Sequence, residues 1–435
     1  MEFYYELIVG LLLSYAITRL VTSSIFGLAK ASNLPPGPTP LPIIGSLHLL
    51  GDQPHQSLAK LAKIHGPIMS LKLGQTTALV ISSAAAAKEV LQKQDLAFCS
   101  RSIPDALHAQ RHFEHSVSFI PVGTQWRTLR KIINSNISSG KSLEASERLR
   151  GEKVKELMTY CHKASLSNEP VDIGRAAFRT SLNLLSNTIF SKDLTDPFED
   201  SGKEFKELVG NIMIEAGKPN LVDYFPVLRM LDPQGIRRRM NRHFKKIIGM
   251  FEELIDERCG IESRLKEEED VLDVCLKMSH DKPDELSPLH MKMLFLDMFA
   301  AGTDTTSSTV EWAMTELLRN PHIMAKAKEE LENVIGRDPN IWKDSEKFKP
   351  ERFLTSSIDV RGQDFELIPF GGGRRICPGM PLALRIIPMV LGSLLNNFNW
   401  SLDTRDHPTN LDMKERFGIT IQKADPLYVV PKPLN

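Results

Sequence analysis

Paired cysteines are missing from this sequence. Its five, at positions 99, 161, 259, 275 and 377, are an odd number without a CxxC pair, which argues against a disulfide framework and a structural zinc site and for a reducing, cytosol-facing environment. Net charge is missing too. The 54 Lys and Arg balance 54 Asp and Glu, so no global positive field exists to gather nucleic acid or anionic lipid. The local exception, Arg237, Arg238, Arg239, Arg242, Lys245 and Lys246, reads as a solvated helix face. No Gly/Ser linker, low-complexity run or internal repeat divides the chain after residue 45, which leaves one large domain admissible at this length. What is there is globular composition, 42% hydrophobic and 25% charged, with enough apolar side chain for a large core.

Residues 7 to 29 are largely apolar, interrupted by Arg19, with Glu2 and Glu6 before them and Lys30 behind. That meets the roughly 20-residue requirement for a membrane span, although an arginine near the middle costs about 2.5 to 3.5 kcal/mol on insertion scales. The charge order puts the body of the protein on the cytosolic side. The run Leu34-Pro-Pro-Gly-Pro-Thr-Pro-Leu-Pro42 fixes a stiff extended spacer, or serves as an ordinary proline-rich linker. The expected organisation is therefore an anchor over 1–30, a hinge over 31–45 and a single body over 46–435.

Within the body, the alternation of residues 67 to 82 around Gly-Gln predicts a hairpin. Helical periodicity follows near 84–93, 125–135, 142–162, 172–190, 201–216, 234–259 and 381–396. The longest helix is expected from Ser287-Pro288, a good N-cap and N1 pair, to Arg319, where Asn320-Pro321 breaks it. Its stretch from Leu294 to Ala301 reads as apolar all round and so buried on every side. Gly302-Thr303-Asp304-Thr305-Thr306 then interrupts it with poor helix formers and a carboxyl that is costly to bury.

The strongest chemical signal is Pro369-Phe-Gly-Gly-Gly-Arg-Arg-Ile-Cys-Pro-Gly-Met-Pro381, followed by an apolar helix. A cysteine just ahead of a helix start meets backbone N–H groups and the positive end of the dipole, which favour the thiolate. The glycines allow close approach to a flat ligand, and Phe370 can cover the sulfur side of it. Gly-Gly-Gly-Arg-Arg alone could equally bind phosphate or turn a corner. The spacing Phe-x-x-Gly-x-Arg-x-Cys-x-Gly, met by Phe370, Gly373, Arg375, Cys377 and Gly379, is far more specific.

That spacing resembles the cysteine-loop signature of the cytochromes P450. The resemblance implies a mainly α fold with a small β-rich part and haem b, its iron ligated by Cys377, whose thiolate favours O–O cleavage. Ala301 to Thr306 resembles the family's oxygen-binding helix, in which Gly302 would leave room over the iron, Thr305 would sit beside dioxygen and Asp304 would relay protons. By residues alone, the same threonines could simply bond back to helix carbonyls. Trp126 and Arg130, four apart on one helix face, match the family pair that binds a haem propionate, with Arg375 as a further propionate contact. Pro350-Glu-Arg-Phe353 resembles an element that places Arg352 in a core salt-bridge cluster. His108, His112 and His115 have spacing that could mimic a metal site, but no fourth candidate follows nearby; the resemblance makes this stretch a loop over the substrate pocket.

Leu34 to Ser46, Ser100-Arg-Ser102, Asp223 to Leu228 and Leu231 to Gly235 look like the plant microsomal group that includes geraniol 8-hydroxylases. The implied reaction inserts one oxygen atom from O2 into a small apolar substrate such as a terpenoid alcohol. Electrons would come from an NADPH-dependent flavoprotein reductase at the endoplasmic reticulum membrane, with no nucleic-acid partner.

One family element has no counterpart. The Glu-x-x-Arg helix should lie between the oxygen-binding helix and Pro350, yet Val334-Ile-Gly-Arg-Asp-Pro339 leads straight into Asn340-Ile-Trp. The two Glu-x-x-Arg strings present, Glu147 to Arg150 and Glu316 to Arg319, lie on other helices. The fold is therefore expected to be incomplete near 336–342, and the alternative function is a catalytically inactive haem-binding or apo remnant.

Overall fold

The expected hairpin forms, with β1 (Ile68–Leu73) and β2 (Thr76–Ile81) antiparallel and Ile68 opposite Ile81. Gly74 turns the chain with φ +57, and a Cβ there would come within 2.7 Å of the Tyr224 carbonyl oxygen, a closeness only glycine permits. Gln75 N–H donates to that carbonyl at 2.9 Å and Thr76 Oγ1 to the Asp223 carbonyl at 3.3 Å. These contacts lie within the first of two units, Met1–Lys93 with Pro219–Gln234. This computed structural model describes residues 10, 14, 34–196, 203–260, 269–329, 348, 350–353, 356–402 and 411–434. The anchor, apart from Gly10 and Ser14, the junction at 336–342 and the Arg352 side chain fall outside those residues.

The second unit, Gln94–Lys218 with Gly235–Asn435, is mostly helical. Its main helices are α1 (Thr124–Ile133), α2 (Glu147–Ser167), α3 (Ile173–Phe190), α4 (Lys203–Gly217), α5 (Ile236–Gly260), α6 (Val271–Asp281), α7 (Pro288–Arg319) and α8 (Met380–Asn397). The helix expected over 142–162 instead breaks at Ser146 into Gly140–Ala145 and α2. Asp172 caps α3 by accepting from Arg175 N–H at 2.8 Å, and Ser287 caps α7 through His290 N–H. Both caps satisfy donors that a helix start leaves open.

Helix α7 runs over the expected residues and packs most extensively on α3. One apolar cluster joins α1, α3, α4, α5, α6 and the first half of α7, centred on Phe178, Phe190, Phe251, Phe295 and Phe299. A second joins α2, α3, α8 and the other half of α7, around Val310, Met314, Val390 and Leu394. Among the described residues, α8 is the helix long and apolar enough to cross a membrane; Ile386, Val390, Leu394 and Leu395 pack one face of it into that second cluster.

The β part is small. β3 (Val171–Asp172), β4 (Phe398–Leu402) and β7 (Tyr428–Pro433) form an antiparallel sheet in the order β3-β7-β4, and β5 (Glu415–Arg416) pairs with β6 (Gln422–Lys423).

Candidate active site

The stretch from Leu294 to Ala301 is not buried on every side, because Ala301 is exposed, and further along α7 Thr305 and Thr309 are exposed as well while almost everything between them is buried. Four-residue spacing puts those three on one face, so the face is open where its flanks are packed. Gly302 is not on it. A Cβ at Gly302 would lie 2.7 Å from Leu185 Cδ1 of α3, so its glycine lets α3 and α7 approach, and the room next to the open face is at Ala301.

Thr305 Oγ1 donates to the Ala301 carbonyl at 2.7 Å, and Thr303, Thr306 and Thr309 bond back in the same way. This is the local pattern that slightly loosens helices, and it leaves the Thr305 oxygen lone pairs available on the open face. Asp304 points elsewhere. It is 4% exposed and accepts from Gln422 Nε2 on β6, whose Oε1 accepts from exposed Arg416 on β5. Burial raises the Asp304 carboxyl above its ordinary value, opposed by the neighbouring polar side chains of Thr420 and Gln422. A buried carboxyl that holds its proton more tightly than usual is suited to passing protons.

Cys377 is half-buried just before α8. Its N–H donates to the Phe370 carbonyl at 2.9 Å, closing the loop. Gly371 and Gly373 take φ of +72 and +64, conformations that favour glycine. Gly379 has φ −82, and a Cβ there would only touch Cys377 Sγ at 3.8 Å. Neither backbone nor neighbours require glycine at that position.

The carbonyls on both sides of Cys377 are held from one helical segment. Arg130 Nη1 of α1 donates to Ile376 O at 2.8 Å, and Ser138, in the π turn Asn134–Ser138 that continues α1, donates to Pro378 O. Trp126, 8% exposed, carries the Arg130 and Arg375 guanidiniums each 5.5 Å from its ring centroid. Arg375 Nε donates to Cys99 O and Nη2 to Ile120 O, both at 2.6 Å, while Nη1 reaches Ser118 O at 3.3 Å. Most of its five N–H donors are therefore committed to backbone, a role the propionate expectation did not include.

Burial lowers the Arg130 and Arg375 pKa values. Cys377 opposes this at Arg130, and Arg101 deepens it at both. Arg101, which sequence reasoning did not single out as a site residue, thus lies close enough to Arg130 and Arg375 to repel both, and of the three Arg130 is the one that feels the Cys377 thiol. A half-buried thiol, three mutually repelling cations and an open row of small side chains on α7 fit a flat group with an iron, an apolar face and acidic substituents. The residues fit haem.

The three histidines separate. His112 Nε2 lies 3.1 Å from Asp297 Oδ1, the His115 ring packs on His290 at 4.5 Å, and the His108 ring packs on Phe113 at 4.5 Å.

The sequence model of the family described as Cytochrome P450 matches residues 35–338 and again 334–428. Residues 334–338 are thus matched twice. The chain is 57% identical to 7-ethoxycoumarin O-deethylase of Helianthus tuberosus over 98% of each chain. It is 54% identical to geraniol 8-hydroxylase of Catharanthus roseus over 93% of this chain and 95% of that one. It is 44% identical to geranylhydroquinone 3''-hydroxylase of Arnebia euchroma over 99% of both. The first alignment occupies 488 positions although this chain has 435 residues, so the relative carries residues that this chain lacks.

Proposed function

We propose, from the premise that the chain belongs to the cytochrome P450 family and to its haem-thiolate monooxygenases, that it hydroxylates a small terpenoid alcohol of the geraniol kind. The observation that carries the site is Cys377, held through both neighbouring carbonyls, with Arg130 beside it and Arg101 and Arg375 close to Arg130. The substrate class rests on the 54% identity to a geraniol 8-hydroxylase. Haem, when bound, supplies an iron at which O2 is cleaved and one oxygen atom passes to the substrate while the other leaves as water. Cys377 gives the thiolate. Trp126, Arg130 and Arg101 hold acidic substituents at the edge, with Arg375 fixing the loop. Ala301 leaves space, Thr305 receives and offers protons at Oγ1, and Asp304, the buried carboxyl next to it in sequence, relays them.

Electrons come from an NADPH-dependent flavoprotein reductase at the endoplasmic reticulum membrane. Besides the amino-terminal span, Val227, Met230 and Leu231 support membrane contact, being 76%, 94% and 74% exposed in the first unit. Product analysis with added reductase tests the activity. Hydroxylated geraniol is expected, and turnover of 7-ethoxycoumarin without turnover of geraniol would sink the terpenoid assignment.

A second reading is favoured by the twice-matched residues 334–338. Two similar short strings joined there would delete the family's Glu-x-x-Arg helix and strands, leaving a chain that keeps its cysteine loop but retains little or no haem.

A further inference from the structure

Asp297 lies on α7 two turns before Thr305, in the row 297, 301, 305, 309. Its Oδ2 accepts from Ser116 Oγ at 2.6 Å and from Ser118 N–H at 3.4 Å, and its Oδ1 faces His112 Nε2. Ser116 is fully buried and the Asp297 side chain is 10% exposed. The same short segment turns its carbonyls the other way, Ser118 O and Ile120 O receiving Arg375 of the cysteine loop and Ser118 O also receiving Arg101. The Ser116 hydroxyl and Ser118 N–H thus face the oxygen-side helix, and the Ser118 and Ile120 carbonyls face the thiolate loop. A backbone segment satisfied on both sides behaves as a spacer, because moving it breaks buried polar bonds at both ends.

We propose that Asp297 is a positioning residue for Cys377, acting through residues 116–120 on Arg375. The strut sets the separation between the Thr305 face and the thiolate loop before any cofactor arrives. Its purpose rests on the haem-thiolate reading, but the coupling belongs to the chain and is measurable without haem.

The test is alkylation by iodoacetamide of the full-length chain without added haem, with each cysteine followed by mass spectrometry. Cys161 and Cys275 are buried, their thiols pushed up to about 12 by burial, and so report global opening. Asp297→Leu should raise the Cys377 rate by at least about three-fold through local loosening, together with faster hydrogen exchange over 116–120, while Cys161 and Cys275 stay slow. Asp297→Asn keeps an acceptor for Ser116 and should stay near the parent rate. An unchanged Cys377 rate, or one that rises in step with Cys161 and Cys275, would overturn the proposal. If Asp297→Leu does not fold, Ser116→Ala removes the shortest bond to Asp297, together with the Ser118 N–H bond to the same hydroxyl, and parent-like Cys377 reactivity in that variant would overturn it equally. Failure to turn over geraniol with normal cysteine coupling would count against the proposed function and not against the strut.

Discussion

The Arg130 guanidinium donates at 2.8 Å to the carbonyl of Ile376, the residue before Cys377. Removing it takes away a charge-assisted bond to the thiolate loop and one of three cations. Arg130→Leu should weaken cofactor retention by about 1.5 to 3 kcal/mol, roughly ten- to a hundred-fold in affinity, measured as haem transfer to an apoprotein acceptor. Retention within two-fold of the parent would show that Arg130 serves the loop fold alone.

Thr305→Ala leaves the packing of α7 intact, since the side chain is exposed and bonds only to its own helix. In any version of the chain that holds haem, the variant should keep its ferrous-CO spectrum while NADPH is consumed several-fold faster than product appears, the difference leaving as peroxide. Undiminished coupling would remove Thr305 from proton delivery.

Asp304 gives a pH dependence with a definite sign. Its native pKa is raised by burial, so the native state holds the proton more tightly than the unfolded chain. Stability from this group is then complete below the ordinary carboxylate value of about 4 and declines as pH rises from there through the native value. Asp304→Asn should therefore melt higher than the parent at neutral pH and converge with it in acid, while losing coupled turnover. A variant that melts lower at neutral pH would mean that the Gln422 bond outweighs the burial cost.

On the second reading, with the Glu-x-x-Arg helix deleted, the chain expressed as it stands should show little or no red-shifted ferrous-CO band. Loss of the Glu-x-x-Arg helix would leave Arg352 without its carboxylate partner, at about 3 to 5 kcal/mol against a typical stability of about 5 to 15. Inserting the corresponding helix and strands of a close relative between Pro339 and Asn340 should restore the band. A strong band from the unrepaired chain would show that the segment is dispensable.

Deleting residues 1 to 30 should shift the protein toward the soluble fraction in a membrane sedimentation assay. If it stays bound, adding Asp at positions 227, 230 and 231 should release it, because those side chains are the most exposed apolar group near residue 230.

Helix α7 was legible because its ends are written locally, in Ser287-Pro288 and Asn320-Pro321. Trp126 and Arg130 were legible because helical spacing alone puts them on one face. Asp297 was passed over as one polar residue in an apolar run. Its partners His112 and Ser116 are 185 and 181 positions away in sequence, and no local pattern announces a bond that only folding makes. The role of Gly302 failed for a related reason, since a bare glycine says that something comes close without saying what. Arg101 stands in the sequence only within Ser100-Arg-Ser102, which points to a subgroup and not to a site, and the convergence of three chain segments reveals its place.

The π turn at 134–138 works as a phase corrector. Eight residues of regular helix at 3.6 per turn overshoot two full turns by about 80°, which would leave Ser138 well to one side of Arg130. A wider turn advances less per residue and brings the two back into line, where they grip the carbonyls on either side of Cys377. Removing a single residue between 134 and 138 would restore a regular α winding and swing Ser138 off the loop. This stretch should therefore tolerate exchanges of side chain far better than any change of length.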